Sequence, residues 1–194
     1  MARPREFDVD EALEAAMQVF WEKGYQGSSL HDLLDAMQIA RGSLYKAFKD
    51  KRSIYLAALE RYEQLIVDDA VKALKNQSDG AVKERIENLL MRAVEAVETE
   101  DDRRGCLLCN AAVDLLPDDP ETRGIIFSKL KKVEGALSDV VMEYGDAHDW
   151  THDKTQTLAL SLNTTYMGMR MMARAGYSAQ EMRAVAKKAL CEFE

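Results

Sequence analysis

SSLHDLLDAMQIARGSLYKAFKDK, residues 28–51, carries the signals that decide the fold. Ser29 and Asp32, three residues apart at the start of an apolar run, mark the beginning of a helix of about two turns. A second short helix follows after a brief connection, and Leu44 and Phe48 lie four residues apart on its buried side. Two short helices joined by such a tight turn are typical of a helix-turn-helix unit.

The second of these helices is basic in a chain that is acidic overall. Residues 38–52 contain five basic side chains and one acidic side chain, whereas the whole chain of 194 residues has a formal net charge of −8. Overall acidity argues against non-specific coating of nucleic acid, but a localised basic face suits entry into the major groove of DNA. Charge and periodicity alone also allow an ordinary solvated basic helix.

The composition predicts an all-α fold. The chain contains only 3 prolines and 10 glycines, is 47% hydrophobic and shows almost no alternation of β-branched residues. We expect about nine helices, divided between a three-helix helix-turn-helix domain in residues 1–50 and a larger helical domain in residues 51–194. The first helix is expected to follow Asp8 and to stop near Gly24.

Helical periodicity continues through the rest of the chain, with breaks at turn residues. The expected helices cover about 51–75, a segment that ends before the acidic residues 100–102, and about 105–116, 126–144, 153–174 and 179–191. Pro117 and Pro120 are expected to bracket a turn, and residues 145–151 to form a loop. Residues 155–169 are nearly free of charge, which predicts that this helix is covered on both faces, on one of them by a partner chain.

Several classes of protein are disfavoured. The N-terminus is polar, and no apolar run approaches the roughly 18 residues that a membrane span requires, so we expect a soluble cytoplasmic protein. Three cysteines do not form the even-numbered framework of a secreted disulfide protein. The sequence contains no glycine-rich phosphate loop, nucleophile elbow or zinc-protease motif, so we expect neither an enzyme nor a cofactor.

His148 and His152 are four residues apart with aspartates nearby, a spacing that suits a metal ion when it falls on a helix. The segment is expected to be a loop, where that spacing does not align the two rings. We therefore expect no metal site.

Residues 12–59 resemble the DNA-binding domain of the tetracycline-repressor (TetR) family of transcriptional regulators. Three motifs carry the resemblance together: F-x-x-x-G-[YF] at residues 20–25, G-[ST]-L-Y-x-x-F at residues 42–48, and a lysine three residues later, Lys51. The resemblance covers roughly the first quarter of the chain closely. The remainder is similar only in length and in its number of helices.

Two positions depart from the family pattern. Gln38 stands in the turn where glycine is common, and Ala40 stands where Ser or Thr commonly caps the recognition helix. A glutamine in the left-handed conformation carries strain, and a missing cap is typically worth about 1 kcal/mol. The tilt of the recognition helix is therefore the least determined part of the expected interface.

The resemblance implies a homodimer on a palindromic DNA operator, with the two recognition helices in successive major-groove faces about 34 Å apart. Phosphate contacts are then expected from Ser28 or Ser29, from Tyr45 and from Lys51, and base-edge contacts from Arg41, Ser43 and Lys46, with Gly42 allowing close approach of the backbone. The C-terminal domain is implied to bind a ligand and to dimerise through the eighth and ninth helices.

The implied function is that of a transcriptional regulator, most often a repressor in this family. A small molecule, or an oxidant or electrophile, would release it from the operator by acting on the C-terminal domain. The alternative is a constitutive DNA-binding or architectural protein whose C-terminal domain only dimerises or recruits a protein partner.

The implied effector pocket lies among the fourth to eighth helices. Its candidate residues are Tyr62, Ile66, Cys106, Cys109, Asn110, Phe127, Tyr166 and Arg170. Cys106 is expected in the first turn of the sixth helix, where the helix dipole and the neighbouring Arg103 and Arg104 favour its thiolate. Cys109 follows three residues later, close enough for a disulfide or for resolving a sulfenate.

Residues 105–107 also resemble a Gly-Cys-Leu motif found in one branch of the family. Some regulators of that branch respond to electrophiles or oxidants through the cysteine. The alternative is that both thiols are small buried hydrophobic side chains.

Overall fold

The computed structural model describes residues 8–114 and 119–193. Within these two stretches the secondary structure consists of nine α-helices and short helical turns, without a β-strand, which confirms the all-α prediction there. The helices are α1 (Val9–Gly27), α2 (Leu30–Met37), α3 (Arg41–Ala47), α4 (Lys51–Tyr62, a π-helical turn Glu63–Val67, and Asp68–Lys75), α5 (Val82–Glu98), α6 (Leu107–Asp114), α7 (Pro120–Ala147), α8 (His152–Arg174) and α9 (Ala179–Ala189).

α1 begins and bends at the residues that the sequence signals predict. The Asp8 carboxylate accepts hydrogen bonds from the backbone N–H groups of Asp10 (2.8 Å) and Glu11 (3.3 Å). Gly24 has a φ of +71°, which interrupts the helical backbone near the predicted stop. A Cβ at Gly24 would lie 2.6 Å from a carboxylate oxygen of Asp114, and the positive φ itself favours glycine at this position.

α4 contains a π-helical turn, Glu63–Val67, in its middle. The backbone stays in the right-handed helical region on both sides of the turn, with φ −60° and ψ −42° at Tyr62, and φ −66° and ψ −33° at Asp68. The predicted continuous helix over about 51–75 is confirmed, whereas its irregular turn had no sequence signal. Glu63 is buried against α7, and such turns frequently occur at functional sites.

The turn between α7 and α8 is shorter than the predicted loop over residues 145–151. α7 continues to Ala147, because Gly145 packs against Thr155 of α8, where a larger side chain would collide. α9 ends at Ala189, slightly before the predicted end of the last helix, and a short 3-10 turn follows.

α6 begins at Leu107, and Cys106 occupies the cap position just before it. The Cys106 carbonyl accepts the backbone hydrogen bond from Asn110 at 2.9 Å. The prediction that Cys106 lies within the first helical turn is therefore wrong, because Gly105, at φ +74°, turns the chain immediately ahead of the helix. The end of the predicted sixth helix near residue 116 and the turn at Pro117 lie outside the described residues.

A continuous hydrophobic core extends from the N-terminal helices into the C-terminal helices. α1 packs against α2, α4 and α6, and α7 packs against α8. Trp21 of α1 meets Tyr62 of α4 edge to face, with 5.0 Å between the ring centroids. None of the described helices combines the length and hydrophobicity that crossing a lipid bilayer requires.

Candidate functional site

The helix-turn-helix unit consists of α2, a tight turn and α3. Ser29 caps α2: its hydroxyl accepts from the Asp32 backbone N–H at 3.1 Å, and the Asp32 carboxylate accepts from the Ser29 N–H at 2.8 Å. Gln38 adopts the left-handed conformation, with φ 52° and ψ 39°, and Ala40 provides no side-chain cap for α3. Both departures from the family pattern are thus present in the structure as predicted.

The outer surface of α3 presents the predicted base-contacting residues. Leu44 is fully buried, and the opposite side of α3 is open to solvent. Arg41, Gly42, Tyr45 and Lys46 are exposed, and Ser43 is half-buried. A Cβ added at Gly42 would meet nothing within 4 Å, so the backbone there is accessible. The guanidinium carbon of Arg41 lies 5.8 Å from the Tyr45 ring centroid.

Two of the predicted phosphate contacts are engaged within the protein. Ser28 is 2% exposed and donates its hydroxyl hydrogen bond to the Gly24 carbonyl at 2.6 Å, whereas Ser29 is exposed. The Lys51 ammonium donates to the Tyr25 carbonyl and lies 4.4 Å from the Tyr25 ring centroid. Partial burial lowers the pKa of Lys51. A DNA phosphate must therefore compete with a carbonyl for this lysine.

A second candidate site is a cavity of about 30 Å³ among α4, α6, α7 and α8. Its wall is partly apolar, with Ile66, Leu130 and Met167 among the lining residues. Its polar groups belong to Tyr62, Cys106, Cys109, Lys129, Asn163, Tyr166 and Arg170. A water molecule needs about 10–15 Å³, and drug-sized ligands occupy pockets of about 300–1,000 Å³. The cavity therefore suits a reagent of very few atoms.

Cys106 and Cys109 form a hydrogen-bonded pair at the N-terminus of α6. The Cys106 sulfur accepts hydrogen bonds from the Cys109 thiol, from the Cys109 backbone N–H and from the Tyr62 hydroxyl. Led by the Cys109 thiol, and aided by the charge of Arg170, these interactions outweigh burial and lower the pKa of Cys106 to about 6. The same hydrogen bond and burial raise the pKa of Cys109. At neutral pH the pair is therefore a nucleophilic thiolate beside a thiol, in a C-x-x-C unit.

The carbonyl of Gly105 joins the cysteine pair to α1. It accepts hydrogen bonds from the indole Nε1–H of Trp21 at 3.2 Å and from Arg170 Nη2 at 2.6 Å. A Cβ at Gly105 would lie 2.7 Å from the Arg170 carbonyl oxygen. Arg174 of α8 donates to the Arg104 carbonyl at 3.1 Å. The segment that precedes the thiolate is thus held between the first DNA-binding helix and α8.

Both the helix-turn-helix segment and the whole chain match known regulators. Residues 12–58 match the model of the bacterial regulatory proteins of the tetR family. Over 176 residues, 90% of this chain and 90% of the relative, the sequence is 31% identical to the uncharacterized HTH-type transcriptional regulator YezE of Bacillus subtilis. The chain belongs to the TetR family. The resemblance found in residues 12–59 is confirmed, and the match to YezE extends beyond it into the C-terminal helices.

Other proteins agree with this TetR-family assignment along nearly the whole length. The HTH-type transcriptional repressor ComR of Escherichia coli is 27% identical over 188 residues, which are 95% of this chain and 88% of ComR. A cysteine mutant of the TetR family regulator CifR, in complex with a 26-bp operator DNA, superposes with a TM-score of 0.84 at 28% identity, covering 97% of this chain and 98% of that one. The reduced form of E. coli NemR shares the fold, with a TM-score of 0.77 at 18% identity and 93% of both chains covered. This TetR-family chain is a transcriptional regulator that binds operator DNA, and its relatives are regulators.

Six predicted effector residues of this TetR-family chain line the cavity: Tyr62, Ile66, Cys106, Cys109, Tyr166 and Arg170. Asn110 and Phe127, which were also predicted, do not line this cavity. Asn110 donates to the Arg104 carbonyl at 3.0 Å and so faces the preceding loop. Phe127 is 60% exposed beside Lys131, because the turn of α7 directs the adjacent Ile126 into the core instead.

Two polar residues of the cavity wall were not predicted from the sequence, Lys129 and Asn163, each 5% exposed. The Lys129 ammonium pairs with Glu60 at 2.6 Å and with the buried Glu63 of the π turn. Although burial opposes it, bonding to Lys129 and Lys132 lowers the pKa of Glu63. Two features of the sequence could have indicated them. Lys129 is a lysine on the apolar stripe of a long helix, and Asn163 is an amide within a helix that is nearly uncharged.

The arginines that precede Cys106 do not face its sulfur. Arg103 pairs with a neighbouring aspartate at 3.1 Å, and the guanidinium of Arg104 stacks over Trp21, 4.0 Å from the ring centroid. The cation beside the thiolate is Arg170 instead. The predicted source of the positive charge was therefore wrong, because it came from sequence neighbours and the contact comes from another helix.

Proposed function

We propose that this chain is a homodimeric repressor that leaves a palindromic operator when an oxidant or an electrophile modifies Cys106. The observation that carries the proposal is the pairing of the Cys106 thiolate with the Cys109 thiol, one residue away from a carbonyl bonded to the DNA-binding helices. The thiolate is the nucleophilic form of cysteine. We assign operator binding to residues 1–50 and sensing and dimerisation to residues 51–194.

Modification of Cys106 would change both charge and shape at the start of α6. Oxidation or alkylation removes the negative charge that faces Arg170 and adds atoms to a cavity of about 30 Å³. Arg170 and Trp21 share the Gly105 carbonyl, so a displacement of Arg170 reaches α1 through a single residue. Because α1 packs against α2, a shift of α1 reorients the recognition helix relative to that of the second chain.

For the operator contacts we retain the exposed residues of the helix-turn-helix unit. We assign Ser29, Tyr45 and Lys51 to phosphates, Arg41, Ser43 and Lys46 to base edges, and Gly42 to the closest backbone approach. The exposure of the α3 surface opposite Leu44 supports this assignment. Ser28 is left out, because its hydroxyl is buried and bonded to Gly24.

For the dimer we assign α8 and α9. On the charge-poor α8, Leu160 is 55% exposed and Met171 is 56% exposed. A groove between the two helices is lined partly by Leu158 and by Ala184 and Val185 of α9. Exposed apolar side chains grouped in this way are typical of interfaces, and a two-fold axis would pair the same surfaces of two chains.

A constitutive DNA-binding protein is the second candidate, and one observation favours it. The cavity beside Cys106 holds only about 30 Å³, as expected for a domain that merely dimerises or recruits a protein. The same packing weighs against a bulky small-molecule effector. The two candidates differ in one respect: a constitutive protein keeps its operator affinity after thiol modification.

Operator binding with and without a mild oxidant tests the proposal. The DNA is taken from upstream of the chain's own gene, and a scrambled duplex reports non-specific binding. We expect two chains per specific site, and loss of the preference after oxidation in the wild type and in Cys191→Ser but not in Cys106→Ser. Cys191, which is exposed near the C-terminus, provides the matched control. Equal responses in the wild type and Cys106→Ser would favour the constitutive alternative.

A further inference from the structure

The cavity beside Cys106 contains a polar side chain that the proposed function does not use, Asn163. It is 5% exposed and lines the cavity. The amide offers two donors and one acceptor to the same space that Cys106 faces.

The size of the cavity limits which molecules can bind to the Asn163 amide. About 30 Å³ admits a molecule of roughly two heavy atoms, since one water needs about 10–15 Å³. Ile66, Leu130 and Met167 form apolar parts of the wall and exclude larger groups. The buried guanidinium of Arg170 supplies donors only, whereas Asn163 supplies donors and an acceptor. Together, Arg170 and Asn163 suit a molecule with two heavy atoms that both accept hydrogen bonds. At least one of these two atoms also donates a hydrogen bond.

The inference that follows rests on the proposed function, which leaves the identity of the oxidant open. We infer that the cavity is a hydrogen peroxide site, in which Asn163 and Arg170 bind the two oxygens and hold one of them against the Cys106 sulfur. Asn163 is thus a positioning and specificity-determining residue. The regulator would respond to hydrogen peroxide in preference to bulkier hydroperoxides and alkylating agents.

The reaction balances with hydrogen peroxide as the oxidant. The Cys106 thiolate attacks one oxygen, the O–O bond breaks, and the leaving hydroxide takes the proton of the Cys109 thiol to form water. Cys106 is now a sulfenic acid, and the Cys109 thiolate attacks its sulfur. The S–S bond forms, the S–O bond breaks, and the second hydroxide takes a proton from solvent. Two thiols are oxidised to one disulfide, and peroxide is reduced to two water molecules.

Thiol kinetics of the full-length protein without DNA test this site. The probes are hydrogen peroxide and tert-butyl hydroperoxide, each rate is divided by that of free cysteine, and mass spectrometry identifies the Cys106–Cys109 disulfide. We expect the wild type to favour hydrogen peroxide by about tenfold or more. Asn163→Leu should react with hydrogen peroxide about tenfold more slowly, the loss expected for one hydrogen bond. Asn88→Leu, at an exposed position on α5, is the matched control and should react like the wild type.

A second readout separates positioning from activation of the thiol. The pH dependence of thiolate absorbance should be the same in the wild type and in Asn163→Leu, because Asn163 does not bond to the sulfur. Met167→Ala keeps the amide and widens the wall, so its normalised rate with tert-butyl hydroperoxide should rise by about tenfold.

Equal normalised rates for the two hydroperoxides in the wild type, or an unchanged peroxide rate in Asn163→Leu, would overturn the peroxide site. If Asn163→Leu does not fold, Met167→Ala decides, and an unaltered rate with the bulky probe overturns the size selection. None of these readouts involves DNA. The proposed function would instead fail if the oxidised protein bound the operator as tightly as the reduced form does.

Discussion

Trp21 of α1 and Arg170 of α8 donate hydrogen bonds to one oxygen atom, the carbonyl oxygen of Gly105, at 3.2 and 2.6 Å. One donor belongs to the DNA-binding helices and the other to the helices around the cysteine cavity. A carbonyl oxygen with two lone pairs satisfies both donors only while both helices keep their positions. This shared acceptor joins the segment before Cys106 to α1 by hydrogen bonds.

Trp21→Phe tests this route. The substitution removes the Nε1–H donor but keeps an aromatic ring beside Tyr62, and the missing hydrogen bond is worth about 1 kcal/mol. We expect the reduced protein to bind the operator nearly as well as the wild type, while the ratio of Kd values with and without oxidant falls several-fold. Trp150→Phe, in a separate aromatic cluster, is the control. A ratio that stays at the wild-type value would show that coupling takes another path.

Lys51 and Arg41 are expected to differ in how they contribute to DNA binding. Lys51→Ala should weaken binding about equally on all duplexes and reduce the slope of log K against log salt by about 1, because one phosphate is no longer neutralised. Arg41→Ala should instead relax the preference at one operator position, costing about 1–3 kcal/mol there. Anisotropy titrations at several salt concentrations measure both effects.

Lys72→Ala provides the control for the charge change, because Lys72 is exposed on α4 away from the helix-turn-helix unit. A melting curve of Lys51→Ala separates weaker phosphate binding from destabilisation by removal of the Lys51 hydrogen bond to Tyr25. An unchanged salt slope in Lys51→Ala would reject its assignment to phosphate.

The Cys106 thiolate should make folding stability depend on pH. Its pKa is about 6 in the folded protein and about 8.5 in an unfolded chain, so the unfolded state binds more protons between these values. The stabilisation is therefore present above pH 8.5 and is lost as the pH falls through 6. We expect the unfolding free energy of the wild type, relative to Cys106→Ser, to rise by about 1–2 kcal/mol from pH 6 to pH 8. Urea denaturation at both pH values checks this, and a difference that does not vary with pH would contradict a thiolate at Cys106 in the folded protein.

Gly105→Ala is expected to damage both stability and the thiolate. Alanine at φ +74° costs about 1–2 kcal/mol, and its Cβ would lie 2.7 Å from the Arg170 carbonyl oxygen, so α8 must shift. Gly176 has a φ of +91° with open space around it, so Gly176→Ala bears only the backbone cost. We expect Gly105→Ala to unfold at lower urea than Gly176→Ala and to raise the pKa of Cys106 by displacing the Arg170 guanidinium. Equal behaviour of the two variants would mean that Gly105 is not tightly held.

The helix-turn-helix unit could be predicted from the sequence because its signals act over a few residues. The Ser29 and Asp32 pair defines the start of α2, and the spacing of Leu44 and Phe48 defines the buried side of α3. The left-handed Gln38 and the uncapped α3 followed from comparing these positions with the TetR family pattern. The buried hydroxyl of Ser28 did not, because its hydrogen bond to the Gly24 carbonyl forms where Gly24, at φ +71°, interrupts the helical backbone.

The sequence by itself determined which faces of the helices are buried and that residues 12–59 form a DNA-binding domain. Only the tertiary structure decided which helices face one another, and so brought Asn163 and Lys129 into the same cavity as Cys106. Periodicity reports that a side chain points inward, but not what lies opposite, since crossing angles and the π turn of α4 depend on the packing of the whole molecule. For that reason the cation beside the thiolate is Arg170 of a distant helix.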